Sequence, residues 1–433
     1  MNYYSTNLQS PQASLEDAVI NAVAPDGGLY MPQAVPRLPL AFIRNMANMS
    51  LPEIGYAIAN FAFQGDVDAA VLHDIVYDTL NFPMPIPQLE PGRFVLELFH
   101  GPTMAFTDVG ARFMGRLLAY FKQKHNDWPV INVLVPTSGD TGAAVASGFC
   151  DVPGVHVYVL YPQDKVSYAQ EAQFATLGHN VTAVMVKGTY DDCKNIVEQA
   201  LLDKSLNSRM QLTTATTINV ARLIPQTFYY FYAVAELMRM GEDVSNLVIA
   251  VPCANLGNLA SGLLARAMGL PVKRFVSVEN DNNIFYHYVQ TGHFVPHATV
   301  ASIAPALDAG NPTNFPRVLN LLGSHAEVER VVHAYSYNDH QIVQAIGRFN
   351  ERYGYLFDPH SAIAYQALCE DIMPGEVGLA LATAHPAKFP DAAELVLRHP
   401  IGMPAQLARF FRGTRQVTTI NSGYTSFRRF MLQ

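Results

Sequence analysis

Apolar residues along the chain follow two rhythms. Short runs such as VINVLV (130–135) and NLVIAV (246–251) are apolar at nearly every position. Such runs suit strands buried on both faces. Between them, apolar residues return every three or four positions, as a helix with one buried face requires. Read in order, the pattern predicts strands at Phe94–Phe99, Val130–Val135, Val155–Tyr161, Val181–Val186, Leu212–Thr216, Leu247–Val251, Phe275–Val278 and Gly378–Thr383. It predicts helices opening near Thr107 and at Ala143–Phe149, Gln170–Leu177, Asp191–Asp203, Val220–Met240, Leu256–Met268 and Asp339–Tyr353, with another from the Phe357–Ser361 turn to Asp371. Strands alternating with helices mean βαβ units and parallel sheets, an α/β fold.

Other stretches read differently. Residues 1–80 have mostly helical spacing, with an amphipathic run at Ile54–Ala70 and a Gly/Pro-rich turn segment at Ala24–Pro36. Pro83, Pro85 and Pro87 fall on alternate positions, which forbids a helix and predicts an extended linker. Residues 280–314 are polar and rich in turns. His287, His293 and His297 are too loosely spaced there to suggest a metal site, and none is expected. Residues 409–430 mix Arg with Phe and Tyr, as a packing or subunit-contact tail would.

Composition narrows the function classes. The 433 residues suffice for two or three domains at about 150 residues each. Half the residues are hydrophobic and 15% are charged, so the chain can bury a large core. A net charge of −8 argues against nucleic acid or an anionic membrane as partner. No apolar run approaches the roughly 18 residues of a membrane span. The start, MNYYSTNLQSPQ, has no signal-peptide pattern. Cys150, Cys193, Cys253 and Cys369 are scattered, which suits a reducing cytoplasm better than a disulfide frame. The expectation is a cytoplasmic monomer or homodimer.

Candidate chemistry gathers where strands end. Ser138-Gly139-Asp140-Thr141-Gly142 follows one predicted strand and precedes a helix of small residues. Free amides at a helix start favour an anion, and glycines let a ligand approach the backbone. Cys253-Ala254-Asn255-Leu256-Gly257-Asn258 repeats the arrangement after another strand. A thiol at a helix start can be acidic and nucleophilic, although a small buried side chain is the plainer account of Cys253. Arg222 offers a forked, permanent cation for a phosphate or carboxylate; a structural ion pair is the plainer account. Thr107 is suited to cap the helix that follows.

The segment ELFHGPTMAFTDVGARFM (97–114) resembles the threonine synthases, pyridoxal-phosphate enzymes of fold type II. So do APDGGLYMP, LYPQDKVS, TSGDTGAAVA, TTINVARL and TAHPAKF. The resemblance runs from Gly27 to Phe389. It implies two parallel-sheet α/β domains with a cleft between them and a small, mostly helical amino-terminal domain. The implied division is 1–80; then 81–112 with 226–433 as the large domain; and 113–225 as the small one. It also implies that Ser138–Gly142 holds a substrate's acidic end, aided by Lys165, Asn219 and Arg222. The loop 253–258 would hold the cofactor's phosphate, and Thr383 would lie near the pyridine nitrogen.

Departures from the family pattern gather on the cofactor side. Where the family has a lysine that binds the cofactor as a Schiff base, this chain has Thr107. Cys253 stands for a serine, Ala254 and Ala382 for glycines, Leu256 for a phenylalanine and Asn258 for an aspartate. If position 254 needs a positive φ, its Cβ costs on the order of 1 kcal/mol. Lys165 or Lys388 could face the cleft as a phosphate-binding cation. The expectation is a diverged lyase, isomerase or transferase acting on a small phosphorylated or amino-acid-like ligand. It would have no covalent cofactor, with pyridoxal phosphate absent or at most weakly bound. His100, Asp108, Asp140 or Cys253 would then move protons at a site where Thr107 replaces the lysine. Two alternatives stay open: a non-catalytic ligand-binding or regulatory homologue, and a threonine synthase inactivated by a lysine-to-threonine change at position 107.

Overall fold

The apolar runs become the strands of two parallel sheets. The structure, a computed structural model, describes residues 2–63, 65–125 and 127–433. Contacts group the chain into two units. One comprises Met1–Gln33, Thr107–Arg222 and Met403–Gln433; the other comprises Ala34–Phe106 and Leu223–Gly402.

The first unit is built on a five-stranded sheet. Its spatial order is Val417–Asn421, Val181–Lys187, Val155–Pro162, Ile131–Pro136 and Gln211–Thr214, all parallel. The edge strand Val417–Asn421 comes from the Arg-rich tail, which the sequence pattern did not show as a strand. It is mostly polar, VTTIN, and buries only Ile420. The helix Tyr424–Met431 follows, and the Tyr424 hydroxyl and Arg428 Nε both reach Asp203 Oδ2. A two-stranded antiparallel sheet joins Tyr3–Ser5 to Tyr30–Pro32, so part of the segment expected to be a turn is a strand.

The helices Thr107–Lys124 and Asp140–Phe149 cross closely in this unit. A Cβ on Gly115 would meet the Gly148 carbonyl oxygen at 2.6 Å, and one on Gly148 would meet the Ala111 carbonyl carbon at 3.0 Å. Only glycine permits this approach, which lies midway along the first helix and near the end of the second.

The second unit carries a six-stranded sheet in the order Val332–Ser336, Arg274–Glu279, Leu247–Pro252, Val377–Ala382, Arg93–Glu97 and Gln88–Glu90. Only the last, edge pairing is antiparallel. Leu247–Pro252, Arg274–Glu279 and Val377–Ala382 are buried at every position, as unbroken apolar runs require. Arg274 and Glu279, at the two ends of one strand, are the ionisable exceptions, and the Arg274 guanidinium is held by Asp371 and Glu376. Residues 34–80 supply the helices Leu40–Asn45, Leu51–Phe63 and Ala69–Thr79. The predicted run Ile54–Ala70 is thus two helices, with Asp68 capping the second; Gln64 lies outside the described residues.

Two expectations change for reasons of proline chemistry. The segment 81–87 is extended but is not a free linker. The Pro85 and Pro87 carbonyls accept from the amides of Glu97 and Val95 at 2.9 and 3.0 Å. Proline has no N–H to return to the neighbouring strand, so this pairing runs one way, from amide to proline carbonyl. The predicted helix Val220–Met240 is interrupted: Val220–Leu223 is followed by a tight turn, Ile224–Gln226, and then Thr227–Arg239. Pro225 cannot donate into a continuous helix.

Gly115→Leu is expected to lower unfolding stability by about 1–3 kcal/mol, the usual range for overpacking. Gly347→Ala, whose added Cβ meets only Val396 at 3.8 Å and beyond, is expected to raise it by about 0.5–1 kcal/mol. Urea midpoints measure both, and an unshifted midpoint for Gly115→Leu would refute the close crossing.

Candidate functional site

In the first unit the strand Ile131–Pro136 ends at Thr137, whose hydroxyl organises the loop. Thr137 Oγ1 accepts from the amides of Gly139 and Gly142 at 2.9 and 2.8 Å. Gly139 has φ 136°, a region open to glycine, and a Cβ there would strike the Gln170 side chain. The helix starts at Asp140. Asp140 Oδ1 accepts from Gln170 Nε2 at 2.9 Å, and its carbonyl accepts from Thr107 Oγ1 at 3.3 Å. Thr107 is therefore the first helical residue and does not cap the helix with its side chain, which reaches across to the neighbouring loop. Thr107 and Asp108 are both buried in the first turn.

Arg222 and Asn219 are buried, not open to solvent. Arg222 is wholly buried, and its guanidinium donates to the carbonyls of Ala215 and Thr107. Gly110 makes room for it: a Cβ there would lie 2.8 Å from Arg222 Nε. Asn219 Nδ2 donates to Val19 O and Thr214 O at 2.8 and 3.1 Å, and its Oδ1 accepts from Ala221 N–H at 3.0 Å. Lys165 is exposed in the turn after Val155–Pro162. In the sequence Thr137 stands at the head of a family motif and Gln170 at a predicted helix start, but neither is given a role. A hydroxyl just before a glycine turn, and a glutamine three residues after the capping Ser167, are the signals that could have found them.

In the second unit the strand Leu247–Pro252 runs into Cys253. The Cys253 amide donates to Val278 O at 2.8 Å and its thiol to Val251 O at 3.3 Å. Burial pushes the Cys253 thiol up to about 12, which leaves it protonated near neutrality. Ala254 does not have a positive φ; the left-handed residue is Leu256, at φ 58° and ψ 9°. The backbone strain thus falls two residues later than expected. Leu256 immediately precedes the helix Gly257–Ala267, whose first-turn amides have no carbonyl one turn back. Asn258 Oδ1 accepts from the hydroxyls of Tyr229 and Tyr230 at 2.7 and 2.8 Å. Its Nδ2 is buried with no hydrogen-bond partner among the described residues.

Further polar groups of this unit surround the end of strand Val377–Ala382. Thr383 is buried; its amide donates to Ser361 Oγ at 2.9 Å and its carbonyl accepts from Phe106 N–H at 2.8 Å. Ser361 Oγ and His360 Nδ1 both bond Asp358, and His360 Nε2 accepts from Ala306 N–H at 3.2 Å. Lys388 is wholly buried and its Nζ donates to Thr103 O at 2.9 Å. His100 Nε2 lies 2.6 Å from Glu97 Oε2, and the Tyr355 hydroxyl donates to Glu97 Oε1 at 2.6 Å. Burial would raise the Glu97 carboxyl, but these two bonds outweigh it and hold it below its ordinary value. Burial and the neighbouring His100 lower His385. Glu279, at the end of the strand beside Cys253, escaped the sequence reading. Burial pushes its carboxyl up to about 8, although it accepts from the amides of Phe285 and Tyr286. His287, His293 and His297 are exposed. Among the described residues no group of three or more His, Cys, Asp or Glu is placed to hold a metal ion, and no helix is long and apolar enough to cross a membrane.

Comparison with known proteins gives a consistent result. A family model described as "Pyridoxal-phosphate dependent enzyme" matches residues 85–382. Models described as "Threonine synthase N terminus" and "Threonine synthase, C-terminal" match residues 2–80 and 361–431. The chain is 39% identical over 409 residues to threonine synthase of Escherichia coli (strain K12), covering 94% of each. It is similar to the crystal structure of threonine synthase from Escherichia coli, with TM-score 0.94, 35% identity, and coverage of 100% of this chain and 99% of the other. It is also similar to the crystal structure of PLP-bound threonine synthase from Brucella melitensis, with TM-score 0.91, 28% identity, and coverage of 100% and 98%.

These likenesses overturn one expectation. Pyridoxal phosphate was expected to be absent or at most weakly bound, with none held covalently. The pyridoxal-phosphate enzyme model instead spans both candidate loops, and a cofactor-bound relative matches the fold end to end. The residues present fit the cofactor's phosphate on a separate ground. Asn258 offers a buried amide donor that nothing in the described protein satisfies, in the first turn of a helix whose own amides favour an anion.

Two measurements follow. Iodoacetamide at pH 8 is expected to label Cys150 and Cys369, which are partly exposed, well before Cys253. Peptide mapping that found Cys253 labelled first would refute its burial. Glu279, with an ordinary value of 4.5, gives a pH signature. Between that value and about 8 the folded chain keeps a proton that the unfolded chain has lost, so this group makes stability fall as pH rises. Denaturation of Glu279→Gln from pH 5 to 8 should show a flatter decline than the unchanged protein; parallel declines would refute it.

Proposed function

The chain belongs to the threonine synthase family, and from that premise we propose that it binds pyridoxal phosphate and a small phosphorylated amino acid, with catalysis limited by the alcohol at Thr107. The observation that carries this reading is the unpartnered Asn258 amide in the first turn of the Gly257–Ala267 helix. It is a donor beyond what the fold itself uses, where a phosphate would be held. The cofactor-independent lyase, isomerase or transferase expected from sequence falls with the cofactor expectation.

In this reading the loop Cys253–Asn258 holds the cofactor's phosphate, and Thr383, tied to Ser361, lies at the ring-nitrogen end. The loop Ser138–Gly142, shaped by Thr137, takes the amino acid's acidic end, with Lys165 as a nearby exposed cation. When bound, the cofactor supplies an electron sink for bond changes on the amino acid. Thr107 supplies neither an amine nor a base, because its hydroxyl does not titrate near neutrality. Cys253 is removed as a proton carrier by its raised pKa. Asp140 is engaged by Gln170 and Asp108 is buried. His100 is the remaining candidate to move a proton, at Nδ1: it is partly exposed, and Glu97, itself held by Tyr355, engages its Nε2 and orients the ring.

The test compares the unchanged protein with Thr107→Lys, each given pyridoxal phosphate and phosphohomoserine. Both should bind the cofactor saturably. Threonine formation in Thr107→Lys should be at least about 10²-fold faster, the lower end of what a positioned base contributes. Equal rates, or no saturable binding by the unchanged protein, would overturn the reading.

A further inference from the structure

Arg317 is wholly buried near the start of the helix Phe315–Leu322. Its Nη1 donates to Asn314 Oδ1 at 2.8 Å. Asn314 is itself buried and is fastened to the loop Cys253–Asn258. Its backbone N–H and its Nδ2 both donate to the Asn255 carbonyl, at 3.1 and 3.0 Å. Thr313 Oγ1 adds a bond to Asn255 Oδ1 at 3.3 Å. The Phe315–Leu322 helix also packs on the Gly257–Ala267 helix, which begins at the same loop. The Arg317–Asn314 end of the connection is buried and little screened by water, and it reaches the half-buried Asn255 of the loop. Burial pulls the guanidinium down to about 9, which still leaves it a cation at neutral pH. In a low-dielectric interior such a charge acts over several ångströms on an anion beyond its own hydrogen bonds.

We propose that Arg317 is a positioning and specificity residue for the loop Cys253–Asn258. Its buried charge, linked through Asn314 to Asn255, makes the loop select a phosphate-bearing ligand over the same ligand without phosphate. Nothing in the sequence patterns marked it: the residue lies some sixty positions from the loop, in a stretch where no element was predicted. This inference rests on the reading of Cys253–Asn258 as the phosphate loop.

The experiment measures dissociation constants of pyridoxal phosphate and of pyridoxal on the full chain. The ratio of the two constants isolates the phosphate's contribution and is insensitive to general loosening of the site. Arg317→Gln, neutral and of similar reach, should reduce the preference for the phosphorylated form by about tenfold or more, which corresponds to about 1.4 kcal/mol. Arg317→Lys, which keeps the charge, should retain most of the preference. If Arg317→Gln does not fold, Asn314→Asp replaces it. That change sets a carboxylate against the guanidinium, neutralises its field, and should produce the same loss. An unchanged ratio in the neutralised variant overturns the role of Arg317 while leaving the phosphate-loop reading in place. Binding of both ligands by the unchanged protein without preference overturns the phosphate-loop reading as well, and so does binding of neither.

Discussion

A parallel strand buried on both faces can offer polar groups to a ligand only at its ends, and this constraint governs the whole molecule. Leu247–Pro252 and Val377–Ala382 are sealed at every position. Chemistry therefore collects in the turns that follow them and in the first turns of the next helices. The loop after Ile131–Pro136 and the loop after Leu247–Pro252 obey the same rule with different residues. Thr137 caps amides in the first, while a left-handed Leu256 and a clamped Asn258 shape the second. Backbone amides at a helix start are a fixed feature of such junctions, so an anion site survives extensive side-chain change.

Several side chains that look ready for ligands serve the backbone instead. Arg222, Asn219 and Lys388 are buried and donate to main-chain carbonyls. A buried polar or charged group is costly unless bonded, and carbonyls near a strand end are the acceptors at hand. Arg222 has a particular consequence. It holds the carbonyl of Thr107, so the backbone at that position keeps its place whatever side chain it carries. The place of the backbone at position 107 is thereby fixed separately from the chemistry of its side chain.

Asn258 illustrates the same separation. Two tyrosine hydroxyls fix one end of its amide and leave the other as a donor. An aspartate in that place would present only acceptors near neutrality. The amide sets the polarity of the loop, while the path of the loop is anchored at Asn255 through Asn314 and Thr313.

What the residue order determined by itself was the alternation of strand and helix, the α/β class and the two strand–turn–helix junctions. Each of these depends on patterns a few residues long: unbroken apolar runs, small residues at turns and the spacing of glycines. The family motifs were legible for the same reason. Tertiary structure decided what depends on partners distant in the chain. The Pro85–Pro87 strip became a sheet edge because Arg93–Glu97 lies beside it, and the Arg-rich tail became a strand because Val181–Lys187 left an edge to fill. Thr107 turned from a helix cap into a donor to Asp140, the Cys253 thiol was driven away from reactivity, and Glu279 and Arg317 gained significance only through burial. Desolvation and long-range hydrogen bonds have no local signature, because they are properties of what surrounds a residue in space and not of its neighbours in sequence.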